Sequence, residues 1–221
     1  MKKLVIFDMD GLMFDTERVY YKAWQEAAKA YGYNITWEVY TQIVARNSRY
    51  IEKVLKQIFG EDLPYDAICT KKRQLSDAII AKEGLKKKEG LIELLDYLDQ
   101  KGIKKVVATS SMRDKALNYL RLSGLEKRFD WVICGNEVEE SKPNPEIFLK
   151  AAAKLQIEPE DSMVLEDSRL GLQAAVSANM TSVLVPDLVA ADEEMTRNAS
   201  YIVASLKQVI DLLEGNESTN Q

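Results

Sequence analysis

Two pairs of carboxylates mark where this chain could do chemistry. In "KLVIFDMDGLMFDTE", Asp8 and Asp10 follow the apolar run Leu4–Phe7, with Gly11 behind them. Like charges that close repel, and both lose water at the end of a buried segment. A cation relieves that repulsion, and hard Mg²⁺ prefers carboxylate and carbonyl oxygens; capping of the following turn is the competing account. Glu166 and Asp167 repeat the arrangement at the end of Met163-Val164-Leu165. Carboxylates brought by two strands to one edge would form a divalent-metal site. A third apolar run, Val106–Ala108, ends in Thr109-Ser110-Ser111. Hydroxyls and backbone N–H groups at a strand end beside a helix start suit a phosphate, although helix capping alone also accounts for them. Lys142 sits in "ESKPNPEIF", where Pro143 and Pro145 stiffen the loop. A loop lysine ordinarily faces water; to meet a phosphate it would have to reach inward.

Composition narrows the remaining chemistry. The chain has no histidine, which excludes histidine bases, histidine phosphoryl carriers and most zinc sites, and leaves acid–base work to carboxylates or lysine. A net charge of −5 favours neither a nucleic-acid polymer nor an anionic membrane as partner. The run Lys86–Lys88 is too short to change that and reads as a solvated helix end or loop. Cys69 and Cys134 lie far apart without metal-ligand spacing and read as reduced, buried side chains of a cytoplasmic protein. Lys2-Lys3-Leu4 is no signal peptide, and no apolar run approaches the roughly 20 residues of a membrane helix.

These residues need a scaffold that brings four distant segments to one edge. The chain has 221 residues, 46% hydrophobic and 29% charged, enough for one good-sized domain or a domain with an insertion. Leu4–Phe7, Val106–Ala108, Trp131–Ile133, Met163–Leu165 and Ser182–Val185 are continuous apolar runs, the pattern of strands buried on both faces. Helical patterns alternate with them: Leu91, Leu94, Leu95 and Leu98, stopped by Gly102; Ile147, Phe148, Ala151, Ala152 and Leu155 after Pro145; Leu170, Leu172, Ala174, Ala175 and Ala178 after Asp167. Alternating strand and helix predicts an α/β fold with a doubly wound parallel sheet. In such sheets ligands bind at the carboxyl ends of the strands, near the point where strand order reverses. Between Thr16 and about Gly84 the rhythm breaks. Val19, Ala23, Trp24, Ala27 and Tyr31 form one helical stripe. Ile51, Val54, Leu55, Ile58 and Phe59 form a second, with Ser48 as N-cap and Gly60 as stop. Ile68, Leu75, Ala78 and Ile79 form a third. An all-helical unit is therefore expected inside a Rossmann-like core. The tail 215–221 is polar and expected to fray.

Together the four site segments resemble the haloacid-dehalogenase-like superfamily of phosphohydrolases, in its order and approximate spacing. "DMDGLMFDTE" is similar to its first motif, "VVATSS" to its second, "SKPNPEIF" to its third and "VLEDSRLGLQAA" to its fourth; the resemblance spans about residues 3 to 213. The helical insertion is similar to the cap of the β-phosphoglucomutase and phosphoglycolate-phosphatase branch. The resemblance implies a core of residues 1–15 and 86–214 and a cap of 16–85. It implies Asp8 as nucleophile, forming an aspartyl-phosphate, and Asp10 as general acid and then base. Thr109, Ser110 through its backbone N–H, and Lys142 would hold the phosphate oxygens. Mg²⁺ would be bound by Asp8, the backbone carbonyl of Asp10, and Asp167, with Glu166 as a direct or indirect ligand.

Asp10 argues against a true dehalogenase, because a halide leaves without a proton. The β-phosphoglucomutases carry a histidine at the position aligned with Tyr20, a device that ties cap closure to acid–base catalysis; here it is missing. The expectation is a Mg²⁺-dependent phosphatase acting on a small phosphorylated metabolite, with a β-phosphoglucomutase-type phosphomutase as the alternative. A phospho-accepting receiver module is the alternative of another class, although receivers are shorter and lack a helical insertion. "VARNSRYI" resembles the family's cap loop, so Arg46, Asn47 and Arg49, together with Thr16 and Arg73, are candidates to contact substrate. Asn179 stands where relatives carry glycine, and asparagine is the next best residue for a left-handed helix end. A monomer is expected.

Overall fold

Leu4–Phe7 (β1) carries four apolar side chains with no exposure at all. Side chains alternate across a strand, so a run apolar at every position must be covered on both faces. That requirement places β1 in the middle of a sheet. In the computed structural model, which describes residues 2–44, 46 and 48–215, β1 pairs in parallel with Lys104–Thr109 (β2) on one side and Ser162–Glu166 (β4) on the other. Trp131–Cys134 (β3), Thr181–Leu184 (β5) and the two-residue Tyr201–Ile202 (β6) complete a six-stranded sheet in the order β3-β2-β1-β4-β5-β6. All of its pairings are parallel. The strand order reverses beside β1. Its carboxyl end, with that of β4, forms the crevice where doubly wound sheets bind ligands.

The chain divides into two compact units, one of Met1–Phe14 with Lys86–Gln221 and one of Asp15–Leu85. In the second unit the helices are α1 (Thr16–Lys29), α2 (Trp37–Ile43), α3 (Ser48–Phe59) and α4 (Tyr65–Glu83). In the first they are α5 (Leu91–Lys101), α6 (Arg113–Leu122), α7 (Glu146–Lys154), α8 (Arg169–Ser177), α9 (Glu193–Asn198) and α10 (Val209–Leu213). One face of β1, β2 and β4 packs against Ile147, Phe148 and Ala151 of α7 and Ala174 and Ala175 of α8. Small residues on α8 let that helix approach the sheet closely. Asn179 follows α8 with φ of 58°, the left-handed conformation its type tolerates. No helix among the described residues is long and apolar enough to cross a membrane.

The helical unit is built around α1 against α4. Trp24 stacks on Tyr65, and the Lys72 ammonium lies 3.8 Å from the centre of the Tyr20 ring. Glu17 is buried, its carboxylate accepting a 2.5 Å hydrogen bond from the Tyr40 hydroxyl. Five details differ from the sequence-based expectation. Ile58, expected in the buried stripe of α3, is exposed. Tyr31 lies beyond the end of α1 and is exposed. Ser48 is the first residue of α3 rather than its cap; its hydroxyl meets that of Tyr65. On α4 the buried positions include Ser76 and Ile80, whereas Ala78 is exposed; Ser76 tolerates burial because it donates to the Lys72 carbonyl. Both cysteines are free, but only Cys134 is buried and Cys69 is partly exposed.

Candidate active site

Asp8 leaves β1 with its backbone N–H still on the Leu165 carbonyl of β4, so the strand's end fixes where its side chain starts. Asp10 begins a tight loop in which Gly11 takes φ of 85° and donates to the Phe14 carbonyl. Glycine is required there twice over. Few side chains accept that φ, and a Cβ would lie 2.1 Å from Asp167 Oδ2. That close approach shows that the Asp167 carboxylate reaches across from the end of β4 onto the first loop.

The predicted carboxylates therefore converge. Asp8, Glu166 and Asp167 each present an oxygen within 4.8 Å of the others. Lys142 does reach inward: it is buried, and its ammonium donates to Asp8 Oδ1 at 2.5 Å, Glu166 Oε1 at 2.6 Å and the Ala108 carbonyl at 3.2 Å. The Phe148 ring lies 4.9 Å beneath it. Glu166 has no exposure, and its second oxygen accepts from the Ser168 N–H and hydroxyl. Both Glu166 oxygens are thus engaged within the protein, which suits orientation of the site better than direct ligation of an ion.

Burial pushes the Asp8 carboxyl up; Lys142 pulls it back while Glu166 and Asp10 push it further, leaving it at about 7 against an ordinary 3.8. Burial opposes the Lys142 ammonium, but Asp8 and Glu166 outweigh it and hold the amine above its ordinary value. Lys142 pairs with two of these carboxylates, Asp8 and Glu166, and Asp167 adds a third acidic group beside them. A divalent cation with a taste for oxygen ligands fits that donor set.

Thr109 is buried at the end of β2, its hydroxyl accepting from the Ser111 N–H, and Ser110 is exposed. Gly135 after β3 backs this loop so closely that a Cβ would meet the Ser110 carbonyl at 2.4 Å. The candidates of the helical unit are placed within that unit. Thr16 is buried at the start of α1, and the Arg46 guanidinium lies 4.9 Å from the Tyr50 ring. Arg49 and Arg73 are exposed. Asn47 and the tail from 216 onward lie outside the described residues.

Three site residues escaped sequence reasoning, and a fourth, Ser111, has another contact than the one expected. Ser168 caps α8, accepting from the Gly171 N–H while donating to Glu166. A Cβ at Gly171 would lie 1.9 Å from the Glu166 carboxyl carbon. A lone glycine inside a helical pattern was the available signal. Ser111, in the run whose hydroxyls suit a phosphate, bonds instead to Asp10, as does Lys115, which nothing in its spacing marks out.

The sequence model of the family described as haloacid dehalogenase-like hydrolase matches residues 5–185. A relative from Thermotoga maritima named phosphorylated carbohydrates phosphatase is 35% identical over 184 residues, covering 81% of this chain and 82% of the relative. The structure of CbbY from Rhodobacter sphaeroides in complex with phosphate is 25% identical, with a TM-score of 0.78 over 95% of this chain and 96% of that one. That of β-phosphoglucomutase from Clostridium difficile is 25% identical, with a TM-score of 0.77 over 97% of this chain and 96% of that one. Matches of that extent, over a sheet whose switch point gathers these carboxylates, place the chain in the haloacid dehalogenase-like hydrolase family, in the branch that holds phosphatases and β-phosphoglucomutase-like proteins with a helical insertion.

Proposed function

We propose that this phosphoric monoester hydrolase is a Mg²⁺-dependent phosphatase of a small phosphorylated metabolite, working through an aspartyl-phosphate on Asp8. The observation that carries the reading is the convergence of Asp8, Lys142, Glu166 and Asp167 at the switch point of the sheet. Asp8 attacks phosphorus, and the bond to the leaving oxygen breaks as Asp10 delivers a proton to it. Asp10 then takes a proton from water, whose oxygen attacks the aspartyl-phosphate and frees Asp8 with inorganic phosphate. Thr109, the Ser110 N–H and Lys142 hold the phosphoryl oxygens, neutralising charge where phosphoryl transfer most needs it. Asp8, Asp167 and the Asp10 carbonyl would hold Mg²⁺, with Glu166 orienting Lys142 beside them. The ion supplies neutralisation of the charge that builds on the transferring group.

The phosphomutase reading has support from the structural likeness to β-phosphoglucomutase. The phosphatase is favoured because the position of the mutase histidine is Tyr20, covered by the Lys72 ammonium, and because the more similar relative is named a phosphatase. Incubation with p-nitrophenyl phosphate and Mg²⁺ should give steady turnover that EDTA stops and added Mg²⁺ restores. Turnover that persists undiminished in EDTA would remove the metal from the proposal. With hexose phosphates, isomer formation without release of inorganic phosphate would decide for the mutase.

A further inference from the structure

A second lysine-centred cluster lies outside the Asp8–Lys142–Glu166 group, on the Asp10 side chain. The Ser111 hydroxyl donates to Asp10 Oδ2 at 2.7 Å. The Lys115 ammonium reaches both Asp10 oxygens, at 3.2 and 3.3 Å, and the Ser111 hydroxyl at 2.9 Å. Ser111 lies two residues before α6 and Lys115 in its first turn, and the hydrogen bond between them brings both onto Asp10. The stem of Lys115 passes the Tyr119 ring, 5.1 Å from its ammonium, and Tyr119 meets Phe14 edge-on at 6.4 Å. Phe14 closes the loop that Asp10 opens, the two forming a backbone bridge. Helix α6 with Ser111 before it therefore grips the Asp10 loop at both ends, by hydrogen bonds at Asp10 and by ring packing at Phe14.

We infer that Lys115, with Ser111, is a positioning residue for the acid–base Asp10, holding its carboxyl in the one orientation from which it can hand a proton to a leaving oxygen. A short side chain on a glycine-hinged loop has several rotamers, and proton transfer needs hydrogen-bond reach of the leaving oxygen. The cluster supplies contacts from two side chains, on both carboxylate oxygens. The inference rests on the proposed phosphatase reading and adds to it two residues whose role is exerted through Asp10.

The test compares p-nitrophenyl phosphate, whose leaving group departs without help, with an alkyl phosphate such as glycerol phosphate, by kcat/KM, which reports formation of the phosphoenzyme. K115M should lower kcat/KM on the alkyl ester by at least about tenfold, a part of the 100- to 10,000-fold that proton transfer contributes. The aryl ester should lose less than about threefold, with KM little changed. S111A should show the same pattern more weakly, and K115R should recover most of the loss. In a D10N background K115M should cost nothing further, because its route of action is gone. Equal losses on both esters, a rise in KM on both, full activity of K115M, or a further loss on top of D10N would each overturn the inference; the first two would make Lys115 a structural or substrate-binding residue. Absence of wild-type turnover on both esters would instead overturn the phosphatase reading, so the two failures are told apart.

Discussion

Asp8 and Asp10 are two residues apart and live in different surroundings. Asp8 shares the Lys142 ammonium with Glu166, and these three side chains are 12%, 6% and 0% exposed. Asp10 shares Lys115 with Ser111, where the carboxylate is 19% and the ammonium 33% exposed. Both halves use a carboxylate, a lysine and neighbouring hydroxyls joined by hydrogen bonds, but the first is buried and the second part-exposed. A nucleophile gains from being fixed and dry, since attack on phosphorus depends on placement. An acid that becomes a base in the next step must stay within reach of leaving group and water. On the proposed phosphatase reading, the same residue types would serve two tasks according to how much water reaches them.

The comparison breaks most sharply at Asp8. D8N removes the attacking oxygen's charge while keeping the shape, so turnover should fall at least about a thousandfold on aryl and alkyl esters alike. Near-normal turnover by D8N would end the nucleophile assignment. Next come the two lysines. K142M takes the ammonium from Asp8 and leaves Glu166 with Ser168 alone in the interior, and breaking a buried pair costs about 3–5 kcal/mol. A loss of that size lowers Tm by roughly 10 °C in a chain of this length. K115M removes a part-exposed pair, worth about 0–1 kcal/mol, and should leave Tm nearly in place. Equal Tm losses in thermal melts would show that the two halves are not distinguished by burial.

D10N should follow in size. It keeps a side chain able to bond Ser111 but unable to give a proton, and kcat/KM on alkyl phosphates should fall by about a hundredfold or more. Aryl phosphates should lose far less in that quantity. Parallel losses across leaving groups would count against the acid role.

How much of this was readable beforehand depends on what each residue is held by. β1, β2, β4 and β5 announce themselves because strands buried on both faces must be apolar throughout. Tyr201–Ile202 does not: it is two exposed residues at the sheet edge, with no run to detect. Trp37–Ile43 is as quiet, seven residues with only Tyr40 and Ile43 buried. The carboxylates at strand ends were legible because charge after a buried run is costly without a purpose. Lys142 was legible only through family likeness, since its inward turn depends on a cavity made by β1, β2, β4 and Phe148. Gly171 and Ser168 matter through Glu166, and Ser111 and Lys115 through Asp10. Their roles exist only once β4, α6 and α8 are folded, so residue type and spacing do not reveal them.

The finest test of the buried half is its effect on stability as pH changes in the absence of divalent metal. Asp8 is held at about 7 in the fold by burial, against 3.8 ordinarily. An acid whose folded pKa is raised costs stability as pH rises: above about 4 the unfolded chain releases a proton that the folded chain still holds. The cost grows until the folded carboxyl also ionises near 7, and then stops growing. D8N carries no such group. In EDTA the Tm of D8N relative to wild type should therefore climb between pH 5 and pH 7 and level off above it. Added Mg²⁺ should shrink the D8N difference, since a ligand that binds only the folded wild type stabilises it by mass action. If the D8N and wild-type curves run parallel from pH 5 to pH 8, burial does not govern the Asp8 carboxyl, and the contrast between the two halves lies in their hydrogen bonds alone.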